Sequence, residues 1–374
     1  MTWSTNRDPL DAGRTGIDFG KRHGGDGMTQ AHDSKSQRSR RQRLREFMEG
    51  LRLEALLLRR SVNFAWYTGG GDNRVDHASP FGVADVLITR EAECILTNNI
   101  EAPRMREEQT PPFEVVERPW YEEDASAIRA VVGDAALGTD FPLDTAIDIS
   151  NEVAPLRYVL DPDAVERYRK VGSDAAAAIE EAASSVRPGM TEYEAAANLA
   201  AACRQRGLFS SVLLAAADDR IASYRHPIPH GDEIEHRIML VVSAERGGLY
   251  ANVTRMVEFE EPDPKIIRRQ EACNTILRRM REEATRPGLT LADALAYCRL
   301  CYAEEGYPDQ WKLHHQGGMT GYGSREIIAT PQTYQEIQVG QSFAWNPSIT
   351  GAKAEETFIL TESGPEVITR VPEE

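Results

Sequence analysis

Five of the eight histidines in this chain fall between residues 226 and 315, four of them in two short polar segments. One reads Tyr224-Arg225-His226-Pro227-Ile228-Pro229-His230-Gly231-Asp232, the other Leu313-His314-His315-Gln316-Gly317-Gly318. An imidazole with an ordinary pKa near 6.5 exchanges protons with water at neutral pH, and a second His or a Glu can orient it or stabilise its charged form. His226 with His314 or His315 offers that combination, and Glu355 is a further candidate. Arg325 offers a planar, bidentate clamp for a substrate carboxylate, and Arg74, in a Gly-rich segment, offers a second from a partner subunit. Asn252 and Asn346 are neutral hydrogen-bonding groups in apolar hairpins, which also carry Thr254 and Arg255 in one case and Lys353 and Glu356 in the other. Each residue has a structural reading beside the functional one. A histidine is a hydrogen-bonded support, Arg325 pairs with Glu326 or Glu355, and Arg74 is a surface loop charge. Cys298 and Cys301, one helical turn apart with no Cys/His pair beside them, read as core packing.

The elements that must position these residues are written twice. Arg187-Pro188-Gly189-Met190-Thr191 returns as Arg286-Pro287-Gly288-Leu289-Thr290, 99 residues later. Each copy follows a helical pattern, Ala164 to Val186 and Pro264 to Ala284. Each opens another helix with Thr as N-cap, Thr191 and Thr290, and closes it with Gly207 or Gly306 at the same spacing. Two strand-like runs follow in each: Ile238 to Ser243 with Leu249 to Phe259, and Ser342 to Trp345 with Thr357 to Leu360. The second half is therefore an α-α-β-β unit used twice, with the polar residues gathered where equivalent strand ends converge.

Upstream, apolar runs at Ala55 to Leu58, Phe64 to Tyr67, Val83 to Ile88 and Cys94 to Thr97 read as strands. They alternate with helical stretches at Ala102 to Glu108 and Ala125 to Val132, which gives a smaller α/β domain over residues 44–160. Asp161-Pro162 reads as a linker to residues 161–374. Residues 1–43 read as a basic extension: 1–27 disordered, then Lys35, Arg38, Arg40, Arg41, Arg43 and Arg45 on a solvated helix face.

Composition bounds the function. A chain of 374 residues holds about two domains at roughly 150 residues each. No apolar run approaches a membrane span, and a net charge of −16 repels phosphate backbones, so neither membrane nor nucleic acid is an expected partner. Five scattered cysteines fit a reducing cytoplasm better than a disulfide framework.

Four motifs in order carry a family resemblance: Pro188-Gly189-Met190-Thr191-Glu192, Tyr250-Ala251-Asn252-Val253-Thr254-Arg255, the His-x-x-Gly at His314 or His315, and Asn346-Pro347 through Glu355-Glu356-Thr357. They resemble the creatinase, aminopeptidase P and prolidase family over roughly residues 44 to 370. The resemblance implies an α/β (α+β) chain: a creatinase-like amino-terminal domain and a duplicated pita-bread domain, as a homodimer. It also implies a dinuclear site of two Asp, one His and two Glu. Here the first Asp position falls at Val241, the second is Asn252 and the first Glu is Asn346. A histidine and Glu355 remain, which cannot offset two divalent cations. Glu245 lies nearby, but Gly247-Gly248 and Tyr250 hold the hairpin in another register. No metal and no other cofactor is expected. Tyr322-Gly323-Ser324-Arg325-Glu326 resembles the segment with which creatinase binds its substrate carboxylate, and His226 lies where that family places a proton-transferring histidine. Creatinase's guanidinium-holding glutamates correspond to Thr254 and Asn346, which argues against creatine itself. The expected function is a metal-independent hydrolase of a C–N bond in a small carboxylated amide or amidine. The alternatives are an Xaa-Pro metallopeptidase with altered ligands and a catalytically silent peptide-binding member of the fold.

Overall fold

The computed structural model describes residues 34–144 and 146–371. The expectation for residues 1–27 lies outside them. The chain divides into an amino-terminal α/β layer and a duplicated α+β body.

The first layer is a mixed six-stranded sheet of β1 (Ala55–Arg60), β2 (Phe81–Thr89), β3 (Glu93–Asn98), β4 (Val115–Arg118), β5 (Leu137–Thr139) and β6 (Ile147–Asp148), in the order β4-β3-β2-β1-β5-β6. Its inner strands read as nearly continuous apolar runs because both faces are covered. Leu57 and Leu87 face one cluster, whereas Leu56, Leu58 and Val86 join a core that continues into the second domain. Phe64 to Tyr67 is not a strand. It lies in the helix Ser61–Thr68, where Asn63 through Tyr67 are all buried. A four-residue apolar run gives no periodicity with which to separate a buried helix from a buried strand.

The basic stretch also differs from expectation. Lys35–Leu51 is a helix capped by Ser34, and it packs inward with part of its charge. Arg40 is 2% exposed and makes two hydrogen bonds to Asp161, at 2.7 and 3.1 Å. Arg41 pairs with Glu93, and Arg43 donates to the Leu156 carbonyl. At the expected junction, Asp161 caps the helix Pro162–Ser185, accepting from Ala164 N, and ties that helix to Arg40.

In the second domain the repeat is physical. The helices Glu192–Gln205 and Leu291–Glu304 have the same length, and both open with a complete capping box, Thr191 with Glu194 and Thr290 with Asp293. Gly189 and Gly288 turn at φ 85° and 87°, and Thr191 and Thr290 each form an isolated antiparallel bridge to an equivalent downstream residue, Glu233 and Glu336. The first copy carries the antiparallel sheet β7 (Phe209–Ala217), β8 (Arg237–Arg246) and β9 (Leu249–Glu258). The second carries β10 (Gly317–Thr320), β11 (Ile327–Ile328), β12 (Ser342–Trp345), the short hairpin β13 (Ser348–Ile349) and β14 (Ala352–Lys353), then β15 (Glu356–Thr361) and β16 (Gly364–Val367). Its main sheet is ordered β11-β10-β12-β15-β16. The two sheets meet where β9 runs beside β15: Asn252 N donates to Thr357 Oγ1 at 2.8 Å, and that hydroxyl donates back to the Asn252 carbonyl at 3.0 Å. This seam lays Asn252 and Thr254 beside Glu355.

Candidate functional site

At the seam lies a cavity of about 110 Å³, lined by Val212, Leu214, Val241, Ser243, Asn252, Ser324, Arg325, Asn346, Lys353, Glu355, His226 and His315. Period-two alternation along β8 presents Val241 and Ser243 to it. Val241 lies opposite Leu214 and Thr254, which makes this wall apolar where the resemblance calls for a carboxylate.

Glu355 is the one carboxylate in the lining. Its Oε1 accepts from Arg325 Nη2 at 2.9 Å, and its Oε2 accepts from Thr254 Oγ1 at 2.8 Å and from Lys353 Nζ at 3.0 Å. Burial alone would raise its pKa, but the Lys353 and Arg325 charges and the Thr254 hydroxyl outweigh burial and hold it down to about 2. A carboxylate so engaged is a poor base, so Glu355 serves here as the anchor for two cations rather than as a proton carrier.

The histidines come from separate segments. His226 sits at the mouth, in the loop before β8, and its Nε2 lies 2.9 Å from His314 Nε2. The His314 and His315 rings stack at 4.4 Å. Gln316 fixes this pair: it donates to the His314 carbonyl at 2.6 Å and accepts from the Tyr302 hydroxyl at 2.8 Å. The glycines of the motif are there for close approach: a Cβ on Gly317 would stand 2.0 Å from the Ala344 carbonyl oxygen, and one on Gly318 would stand 2.2 Å from that of Ile327. His315 lines the cavity and His314 stands behind it against His226. All three rings have lowered pKa values. Burial comes first in each case; Lys353 is the next cause for His226 and His314, and Arg325 for His315. His314 is pushed to about 2 and His315 to about 4. The expectation of an unperturbed imidazole thus fails, because the rings are desolvated by burial and two cations share their pocket. Burial and the two cations favour the neutral form of all three rings and make His314 and His315 weak bases, which leaves His226, the exposed ring at the mouth, as the best placed proton acceptor of the three.

Two expected residues stand elsewhere. Arg74 is bound by Asp72 at 2.8 Å and by Glu245 at 2.7 Å, an ion pair between the two domains that also takes Glu245 away from the cavity. Tyr322 is fully buried in the shared core, its hydroxyl accepting from Arg167 at 2.8 Å. Glu326, next to Arg325, is held by Arg157 at 2.6 and 2.9 Å. The residues the sequence reading left without a role are Lys353, Ser243 and Ser324. A lysine two positions from the last carboxylate, in an otherwise apolar hairpin, was the available signal for the first.

The donor set does not fit two divalent metals. Among the described residues, the metal-capable cluster here is His226, His314 and His315, whose ligand atoms lie within 4.8 Å of one another, and it contains no carboxylate. Bridging oxygens are missing, Glu355 is already occupied, and Lys353 and Arg325 place two positive charges where metal charge would stand.

Residues 166–362 match the metallopeptidase family M24, and residues 40–159 match the creatinase/prolidase N-terminal domain. The chain belongs to that family, which places it among hydrolases acting on C–N bonds. An Xaa-Pro dipeptidase of Pyrococcus horikoshii is 23% identical over 359 residues, 88% of this chain and 96% of that protein. The structure of an Xaa-Pro dipeptidase from Bacillus anthracis matches with a TM-score of 0.75 at 21% identity, over 90% of this chain and 99% of that one. The N-terminal domain of the FACT complex subunit SPT16 from chickpea matches with a TM-score of 0.65 at 12% identity, over 90% and 95%. These likenesses confirm the two-domain α/β and pita-bread architecture. Among the described residues, no helix is long and apolar enough to cross a membrane.

Proposed function

We propose that this chain hydrolyses a C–N bond in a small, carboxylate-bearing substrate, and does so without a dinuclear metal centre. One observation carries the reading: Glu355, the single carboxylate in the cavity lining, is occupied by Arg325, Lys353 and Thr254, while Val241, Asn252 and Asn346 line the cavity where the motif resemblance implies further carboxylates. Cations of the chain's own make the pocket attractive to a substrate carboxylate or a polarised carbonyl. The curated relative supports the substrate class: it is an Xaa-Pro dipeptidase, which puts dipeptides ahead of creatinase-like amidines. In this proposal His226, neutral and at the mouth, takes a proton from the attacking water and returns it to the leaving nitrogen, with His314 orienting its ring. Homodimer formation and a cytoplasmic setting complete the proposal.

The test is a panel of Xaa-Pro and other dipeptides, N-acyl amino acids and amidino acids, assayed before and after chelation with elemental analysis alongside. Turnover that survives chelation is expected. Near-stoichiometric metal with activity lost on chelation would establish the metallopeptidase reading instead, and no turnover of any compound would establish a binding role. His226→Gln should lower turnover by about two to four powers of ten while the chain stays folded.

A further inference from the structure

The charges in the cavity are unequal: Lys353 and Arg325 bring two positive charges and Glu355 one negative, against a wall of Val212, Leu214 and Val241. Lys353 is 6% exposed. Its main chain is pinned by Gln270, which donates to the Lys353 carbonyl at 2.9 Å and accepts from Lys353 N at 3.4 Å, and by the β13–β14 hairpin. An ammonium has three N–H donors, and the acceptor found for this one is Glu355 Oε2. Three further buried polar atoms of lining residues have no partner, Arg325 Nε, Asn346 Oδ1 and His315 Nδ1. The cavity therefore presents unused donors on Lys353 and Arg325 and an unused acceptor on Asn346, with the free His315 ring nitrogen beside them. A carbonyl oxygen beside an amide N–H is the ligand pattern that satisfies both.

We infer that Lys353 is the electrophile of this site, its ammonium standing in for divalent metal charge and binding the carbonyl oxygen of the bond to be cleaved. The inference rests on the hydrolase reading above. Water adds to the carbonyl carbon and gives its proton to His226, and the carbonyl π pair moves onto the oxygen, whose negative charge Lys353 stabilises. The pair then returns to re-form C=O, the C–N bond breaks, and the proton passes from His226 to the departing nitrogen. Glu355 holds the ammonium in place before charge develops, so little reorganisation is needed when it does. Arg325, braced on the same carboxylate, keeps Glu355 ionised and adds a second positive charge to the field.

The experiment compares wild type with Lys353→Met, with Lys353→Arg, and with Lys353→Cys before and after aminoethylation, which rebuilds a lysine-like ammonium. Two readouts are taken: turnover of the dipeptide panel, and calorimetric binding of a phosphinic pseudodipeptide, a tetrahedral anion, against its amide counterpart. Lys353→Met should lower kcat about 10²- to 10³-fold with KM changed less than about threefold. Wild type should bind the phosphinate at least about tenfold more tightly than the amide. Lys353→Met should lose that preference, and aminoethylated Lys353→Cys should regain it together with turnover. If Lys353→Met fails to fold, the two Lys353→Cys forms decide. An unchanged preference without the ammonium overturns the inference, as does failure of the wild type to bind either probe. A preference that disappears on chelation also overturns it, since a metal on the three histidines is then the electrophile. A preference that depends on Lys353 in a protein that turns over nothing keeps the anion-stabilising role and removes the hydrolase reading.

Discussion

The two copies of the repeated unit agree where they build the fold and disagree where they line the cavity. Capping boxes, left-handed glycines and the capped fourteen-residue helices match position for position. The pocket charges do not: Lys353, Glu355 and Arg325 all come from the second copy, whereas the first contributes Val241, Ser243, Asn252, Thr254 and His226. A pair of metals held between the copies needs anions from both sides. A site whose formal charge comes from one side can hold an internal ion cluster and leave the opposite wall neutral. Scaffold and chemistry have thus been kept by separate constraints in one duplicated architecture.

The largest effect that tests this asymmetry is Glu355→Gln. It leaves Lys353 and Arg325 as neighbouring buried cations without their anion, and should cost about 3–5 kcal/mol of stability in denaturant melts. Asn252→Ala in the neutral copy removes only contacts near 3.4 Å and should cost less than about 1.5 kcal/mol. Equal losses would break the contrast.

Acid should act through the charged copy next. His314, held at about 2, stays neutral in the folded chain while the unfolded chain takes up its proton near 6.5; Glu355, also at about 2, stays ionised while the unfolded chain protonates near 4.5. In both windows the unfolded state binds more protons. Stability is therefore complete above about pH 6.5 and declines as pH falls toward 2, with each group approaching a slope of about 1.4 kcal/mol per pH unit. Urea melts between pH 7 and 4 should show this decline, and His314→Gln should flatten it by one proton's worth.

The smallest effect belongs to the scaffold. Thr191→Ala and Thr290→Ala each remove one N-cap and should each cost about 1 kcal/mol, equal within about 0.5 kcal/mol, in thermal melts. A clear difference would mean that the copies are alike in outline only.

The scaffold was legible in the sequence because its signals are local: a Pro-Gly turn, a Thr cap and a closing glycine, each within a few residues and each written twice. The short helix Ser61–Thr68 was not, because full burial removed the alternation that separates helix from strand. The histidines and Arg325 could be nominated from motifs, and three of the four line the cavity. What spacing could not give was their partners. Nothing local tells that Arg74 meets Glu245 across 171 positions, that Glu355 has its oxygens taken, or that Lys353 lowers the pKa of histidines from two other loops. The first belongs to the contact between the two domains and the others to the cavity at the seam of β9 and β15, and both exist only after the whole chain folds.

The Arg157–Glu326 ion pair gives the molecule one more property. Arg157 also donates to Asn63 in the amino-terminal domain at 2.7 Å, and Glu326 accepts from Gly323 N at 3.0 Å within the loop that presents Arg325. The orientation of a pocket guanidinium is thereby inherited from a domain that lines none of the cavity. Modularity ends at this point: the duplicated half transplanted alone would lose a brace on its own receptor, and recombination between relatives would exchange binding behaviour along with a domain that lines none of the cavity.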